Sequence, residues 1–361
     1  VGYDSTAILP PFRRLIFDEA HALEKSATSF FSRSFSELSV KKQLGRIWRF
    51  RGGRSFGLLQ ELQRLHPDGS GAVSEVPGAI STVQEKLDSL NLRAAAFLAN
   101  DQSFRVAGDS ARAFVEGVGE SLFDLQEELL TLCDRIAKPI RSLSEEEREL
   151  PPIYQLRSIV RRFEEIANIC EQFRAPGESP EDVLWLDRRT LRSGARNIRF
   201  TVTPLEIAPV MREAVFEPFR TVLCTSATLT VREEFGFWGS RIGLPVEEER
   251  CVTELYPSPF RYREQVLLGV PTDAPAPDLP TYLGFTKELI GQLLELTEGS
   301  ALVLFTSYVM LDEVYEAVKP RLSQLGISSY RQGEDDRAWL LDPFKRDAAS
   351  VLFATDSFWE G

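Results

Sequence analysis

The spacing of hydrophobic positions changes along the chain, and the changes divide it into segments. Residues 13–17, Arg-Arg-Leu-Ile-Phe, form a short apolar run that ends in Asp18 and Glu19. That is the pattern of a buried parallel strand. From about residue 26 to residue 207 the pattern becomes that of long amphipathic helices. Residues 113–140 repeat Phe114, Val118, Leu122, Leu125, Leu129 and Leu132 at steps of three and four. Residues 152–173 do the same with Leu156, Ile159, Val160, Phe163, Ile166 and Ile169. Such spacing lines one face of a helix. Helix breakers at His66-Pro67-Asp68-Gly69 and Ala175-Pro176-Gly177 separate the helices. Residues 183–186 and 198–202 predict a pair of strands near the end of this region.

Alternation of strand and helix then returns. Thr221-Val222-Leu223-Cys224 is a β run ending in Thr225-Ser226-Ala227-Thr228. Beyond a Pro-rich joint at residues 271–280, strands are predicted at 301–306 and 351–355, with helices at 287–296 and 309–325. Alternating elements of this length imply a parallel sheet covered on both faces. The pattern therefore reads as an α/β domain with a helical insertion, followed by a second α/β domain.

Composition changes this picture little. The 361 residues are 43% hydrophobic and 27% charged, the balance of a globular protein. No apolar run approaches the roughly 20 residues of a membrane-spanning helix, and the first residues lack a signal-peptide pattern. The cytoplasm is the expected compartment. Cys133, Cys170, Cys224 and Cys251 have no CxxC spacing, and His21 and His66 are the only histidines. Reduced, partly buried thiols are expected, with no metal site built from them.

The net charge of −12 argues weakly against a nucleic-acid partner, but the local balance differs. Residues 33–54 hold Arg33, Lys41, Lys42, Arg46, Arg49, Arg51 and Arg54 against the single acid Glu37, with Trp48, Phe50 and Phe56 among or beside them. A second cluster comprises Arg188, Arg189, Arg192, Arg196 and Arg199. Phosphate contact depends on local potential, so a net acidic protein can carry a basic groove. A solvated face, or burial of Trp48 and Phe50 in a helical core, would leave the same sequence signature.

Asp18 and Glu19 follow an apolar strand directly, where open α/β sheets bind their ligands. Nucleoside triphosphate hydrolysis needs one carboxylate for Mg²⁺ and a group to orient water, and adjacent acids at a strand tip supply both. The same acids would also suit a solvated strand end. His21 alone reads as readily as a surface residue, and residues 225–228 as a cap on the following turn.

In combination these segments resemble superfamily-2 helicases of the DinG/XPD type. Leu15-Ile16-Phe17-Asp18-Glu19-Ala20-His21 is similar to their Walker B, or DEAH, motif, and Thr225-Ser226-Ala227-Thr228-Leu229-Thr230 to their motif III. Tyr256-Pro257-Ser258-Pro259-Phe260 resembles the entry to the second motor domain. Leu302-Val303-Leu304-Phe305-Thr306-Ser307-Tyr308 resembles motif IV, and residues 354–361, ending Phe358-Trp359-Glu360-Gly361, the start of motif V.

The resemblance implies two RecA-like parallel-sheet motor domains, the first incomplete, with a helical Arch-type insertion. Residues 1–25 would end the first motor domain, 26–207 form the insertion, 208–262 complete the first domain, and 263–361 begin the second. It further implies that Asp18 holds Mg²⁺ through water, Glu19 activates the attacking water and His21 links hydrolysis to the inter-domain cleft. Ser226, Ala227 and Thr228 would couple nucleotide state to DNA grip. Thr306, Ser307 and Tyr308 would face the single strand, and Asp356, Glu360 and Gly361 would belong to a loop between nucleotide and DNA. Lys41, Lys42, Arg46, Trp48, Arg49 and Arg51 become the candidate DNA-contacting set.

ATP and Mg²⁺ are the implied cofactors and single-stranded or forked DNA the implied partner of a monomer. The chain contains no G-x-x-x-x-G-K-[ST] phosphate loop. In the family that loop, and four cysteines for an iron–sulfur cluster, precede the DEAH segment, so truncation at both ends is expected and the chain alone is expected to be inactive. A parent acting mainly as a nuclease, a degenerate nucleic-acid-binding motor, and a component of a CRISPR-type system remain alternative readings.

Overall fold

The computed structural model describes residues 12–65, 73–177, 181–190, 196–246, 248–355 and 358. The chain forms two compact units, Val1–Tyr256 and Pro257–Gly361.

The first unit contains two cores. The smaller gathers around a parallel pair, β1 (Arg14–Phe17) and β8 (Thr221–Cys224), in register Arg14 to Thr221 through Phe17 to Cys224. Ala20, Ala27, Ile207, Met211, Phe216, Leu229, Trp238 and Ile242 are its buried residues. Helix α1 (Leu23–Phe31) leads away from it. The alternation of β1 sends Leu15 and Phe17 toward this core and Arg14 and Ile16 away from it. Ile16 is 72% exposed, so β1 is covered on one face, where an apolar run predicts burial on both.

The larger core is built by three long helices, α4 (Val76–Leu98), α5 (Asp109–Arg141) and α6 (Pro151–Arg174), with α5 packed between the other two. Phe114, Val118, Leu122, Leu125, Leu129 and Leu132 on α5 are fully buried, as their spacing predicts. Pro151 opens α6, where its missing N–H goes unused in any case.

The chain between β1 and β8 is not wholly helical, however, and holds more strands than the pair that the sequence pattern predicts. A four-stranded antiparallel sheet, in order β2 (Arg33–Ser36), β7 (Arg196–Pro204), β6 (Asp182–Thr190), β5 (Ser103–Val106), closes the same core. Phe35 stacks on Phe200 across the β2–β7 ladder at 4.9 Å between ring centroids. Between helices α2 (Glu37–Ile47) and α3 (Leu59–Leu65) lies a separate hairpin, β3 (Arg49–Arg51) and β4 (Arg54–Phe56). Strands of three or four residues are too short to show their period in the sequence, which is why β2–β5 escape it.

The second unit is a parallel sheet in order β10 (Ser329–Arg331), β11 (Val351–Ala354), β9 (Ala301–Leu304). Helices α8 (Thr281–Leu296) and α9 (Tyr308–Gln324) cover one face, packing on Val351 and Phe353. Helix α10 (Arg337–Arg346) covers the other through Leu340, against Leu352 and Ala354. The central strand β11 is buried throughout, which fits its unbroken apolar run. Among the described residues no helix is long and apolar enough to cross a membrane.

Candidate functional site

The β1–β8 ladder continues past its strands. The Thr225 N–H donates to the Phe17 carbonyl (2.9 Å) and the Ala20 N–H to the Thr225 carbonyl (3.0 Å). Residues 17–20 and 224–226 are thereby held side by side at the carboxyl ends of two parallel strands. Helix α7 (Gly236–Ile242) fixes the turn from beneath, its Trp238 Nε1 donating to the Ala20 carbonyl at 3.2 Å. Arg241 from the same helix pairs with Glu24 on α1.

Asp18 is exposed at the strand tip, and its Oδ1 accepts the Glu19 N–H at 3.0 Å. Glu19 adopts φ 49°, ψ 45°, a left-handed conformation that costs a non-glycine residue roughly 1–2 kcal/mol. This strain is compensated by side-chain bonds. Ser226 Oγ donates to Glu19 Oε2 at 3.2 Å, and His21 Nδ1 lies 2.8 Å from Ser226 Oγ and 3.2 Å from Glu19 Oε2. A single hydroxyl proton and a single imidazole nitrogen are thus shared among three groups, and the tautomer of His21 sets which of them donates. Hydroxyl and carboxylate therefore meet the same imidazole nitrogen. A nucleophile relay requires them on opposite nitrogens, so this trio cannot activate Ser226 as one. Its geometry suits joining two strand tips instead. Ala227 and Thr228 follow, both exposed.

In the second unit the candidates gather at the carboxyl edge of the parallel sheet. Thr306 is exposed just beyond β9. Ser307 is the N-cap of α9, its Oγ accepting the Met310 N–H at 3.2 Å, and this accounts structurally for a residue the motif assigns to the strand-tip set. Tyr308 begins the helix, and its OH accepts from Gln332 Nε2 at 2.8 Å. Gln332 Oε1 in turn accepts from the backbone N–H (2.7 Å) and hydroxyl (2.9 Å) of Thr355. Gln332 thus bridges the start of α9 and the end of β11. The motifs did not point to it, although its place just after β10 is the signal that could have found it. Asp356, Glu360 and Gly361 lie outside the described residues.

The structure divides the basic run. Arg33 is engaged by Asn168, Gln172 and Asp182, and Lys41 by Glu37 and Asp88. Arg46 is exposed but bonded to Gln43 and Gln155. Trp48 is half-buried against the large core, whereas Lys42, Arg49 and Arg51 are exposed. In the second cluster Arg189 and Arg199 both meet Asp187, and Arg188 donates to the Ala99 carbonyl. Arg192 lies outside the described residues.

The cysteines are free thiols. Burial pushes Cys133 up to about 12 and Cys224 up to about 11, and raises Cys170 as well. None is a thiolate at neutral pH. Among the described residues no group of three or more His, Cys, Asp or Glu side chains is placed to hold a metal ion.

Comparison with known sequences adds the family context. Residues 290–361 match the helicase C-terminal domain. Across 98% of its length the chain is 25% identical to the 3'-5' exonuclease DinG of Bacillus subtilis and 26% identical to the ATP-dependent DNA helicase YoaA of Escherichia coli, covering 39% and 49% of those proteins. Over half of the chain it is 32% identical to the ATP-dependent helicase DinG of Mycobacterium tuberculosis, covering 26% of that protein. The chain thus spans half or less of the length of these relatives.

Proposed function

From a chain that is DinG-like along its length, we propose that the whole protein is an ATP-dependent DNA helicase that moves along single-stranded DNA. The supporting observation is the Glu19–His21–Ser226 trio. It joins a DEAH-like strand tip to an SAT-like one across 205 sequence positions, at the sheet edge where α/β proteins bind nucleotides. In this reading β1, β8 and their helices belong to one RecA-like motor domain, residues 26–207 to an Arch-type insertion and residues 263–361 to the second motor domain.

Asp18 fits the Mg²⁺ of an ATP complex. One exposed carboxylate at a strand tip, completed by phosphates and water, is the donor set that this ion favours over an all-protein cage. The bound ion would neutralise charge on the transferred phosphoryl group. Glu19, its carboxylate held by Ser226 and His21, orients the attacking water and accepts its proton. Because the same trio carries Ser226, any shift of the β8 end alters the Glu19 carboxylate, which is a direct route from DNA grip to hydrolysis. Asp356 and Glu360 would act from the second domain, alongside Thr306 and Tyr308.

The test is ATP hydrolysis by the full-length protein with and without single-stranded DNA. Strong stimulation by the strand is expected. Intact DNA binding with no hydrolysis would instead make the protein a binding module. The name of the Bacillus relative supports a second reading, and release of nucleotides from a 3'-labelled strand without ATP would identify it. For Ser226→Ala, ATP binding should persist, unstimulated hydrolysis should fall because the Glu19 carboxylate loses one of its two partners, and the stimulation by DNA should largely disappear. A stimulation ratio equal to that of the unmodified protein would remove the trio from coupling.

A further inference from the structure

The hairpin β3–β4 stands out because its charge is uncompensated. Its register places Arg49 opposite Phe56 and Arg51 opposite Arg54, so all four side chains share one face. Phe50 lies on the other face, where its ring stacks on Trp48 at 6.4 Å. Arg49, Arg51 and Arg54 are exposed, and among the described residues none of them makes an ion pair or a side-chain hydrogen bond. Like charges directly opposite in a ladder are destabilising, and here a third guanidinium joins them. Phe50 is 64% and Phe56 43% exposed.

The hairpin is nevertheless firmly built. Gly52 and Gly53 both take positive φ (60° and 77°), as the tightest two-residue turns require. At its base the Leu58 N–H donates to the Arg46 carbonyl at 3.0 Å, and Gln60 Nε2 binds the Ser55 carbonyl at 2.5 Å. Gly57 passes so close to the end of α2 that a Cβ there would lie 2.3 Å from the Ile47 carbonyl oxygen. Trp48 roots the other strand in the core.

We propose that this hairpin is a finger for single-stranded nucleic acid, with Phe56 stacking on an unpaired base on the face where Arg49, Arg51 and Arg54 hold the phosphates, and Phe50 offering its ring to a base on the opposite face. The inference rests on the helicase reading only in requiring that the protein handle single strands, and it adds Phe50, Arg54 and Phe56 to the contacts. Three free guanidiniums match a polyanion, and an anionic strand relieves their mutual repulsion. Guanidiniums alone would serve a duplex equally. Exposed ring faces select unpaired bases, because only these offer a free π-face, and such stacking is indifferent to sequence.

The test is fluorescence anisotropy of the full-length protein with labelled oligo(dT), an abasic strand of equal length and a duplex, over a salt series. Phe50→Ala with Phe56→Ala should weaken oligo(dT) binding by roughly tenfold or more, abolish its advantage over the abasic strand and leave the salt dependence unchanged. Phe50→Tyr with Phe56→Tyr should restore binding because the ring faces are kept, while Phe50→Leu with Phe56→Leu, which keeps apolar bulk without a π-face, should not. Replacing Arg49, Arg51 and Arg54 together by Gln should flatten the log–log salt slope by about 2 units. Oligo(dT) binding by the unmodified protein that none of these changes alters would overturn the finger and leave the helicase reading standing. A duplex weakened as much as oligo(dT) by the ring substitutions would also overturn it. Absent ATP hydrolysis alongside the predicted binding losses would remove the helicase reading and keep the finger.

Discussion

Glu19→Gln should leave ATP binding intact and lower DNA-stimulated ATP turnover at least roughly 10²-fold, the scale of a positioned general base. Glutamine preserves the geometry, because its amide oxygen still accepts the Ser226 hydroxyl that now bonds Glu19 Oε2 at 3.2 Å. What it loses is the negative charge and the capacity to take a proton. The left-handed backbone at Glu19 is the same for either residue, so no new strain arises. The measurement is steady-state hydrolysis beside equilibrium binding of an ATP analogue. Turnover within about tenfold of the unmodified protein would assign the water-activating role to another group.

Phe200→Ala has the largest expected effect on stability. The ring is 2% exposed, stacks on Phe35 and meets Phe173 edge-on at 5.4 Å, so it ties the antiparallel sheet to α6. Truncating a buried phenylalanine costs about 3–5 kcal/mol, from lost transfer free energy and the cavity left behind. Hydrogen exchange of the intact protein should therefore show the β6 and β7 amides opening roughly 10²- to 4 × 10³-fold more readily. The β1–β8 amides, which sit on a separate core, should change far less. A uniform loss of protection across both cores would mean that the larger core does not open independently of the smaller.

Periodicity located the long elements to within a few residues. Residues 113–140 and 152–173 fall inside α5 and α6, and Thr221–Cys224 coincides with β8. A helix of this length repeats its apolar step many times, so its face is written in the sequence. The strands β2, β3, β4 and β5 repeat theirs once at most, so by sequence the basic run between residues 33 and 54 is indistinguishable from part of a helical insertion. Gly52-Gly53 was the available sign of a hairpin, since two consecutive positive φ values are what glycine permits at little cost.

At the candidate site, the sequence could place Asp18 and Glu19 at a strand tip, because an apolar run followed by acids is local information. It could not show that His21 and Ser226 share a nitrogen–oxygen contact across 205 positions, nor that Gln332 bridges Tyr308 and Thr355. The same limit governs the basic run. Lys41 is neutralised by Asp88 and Arg33 by Asp182, residues brought near by packing alone, while Arg49, Arg51 and Arg54 remain exposed on one hairpin face.

The sequence by itself thus determined the elements whose period is long and the residues at strand ends, because both depend on neighbours along the chain. Which charges are spent on ion pairs, which aromatic rings stay exposed and which hydroxyl reaches which imidazole were decided only by the tertiary structure. Those outcomes depend on partners a hundred or more residues away, whose arrival is set by packing of the whole core.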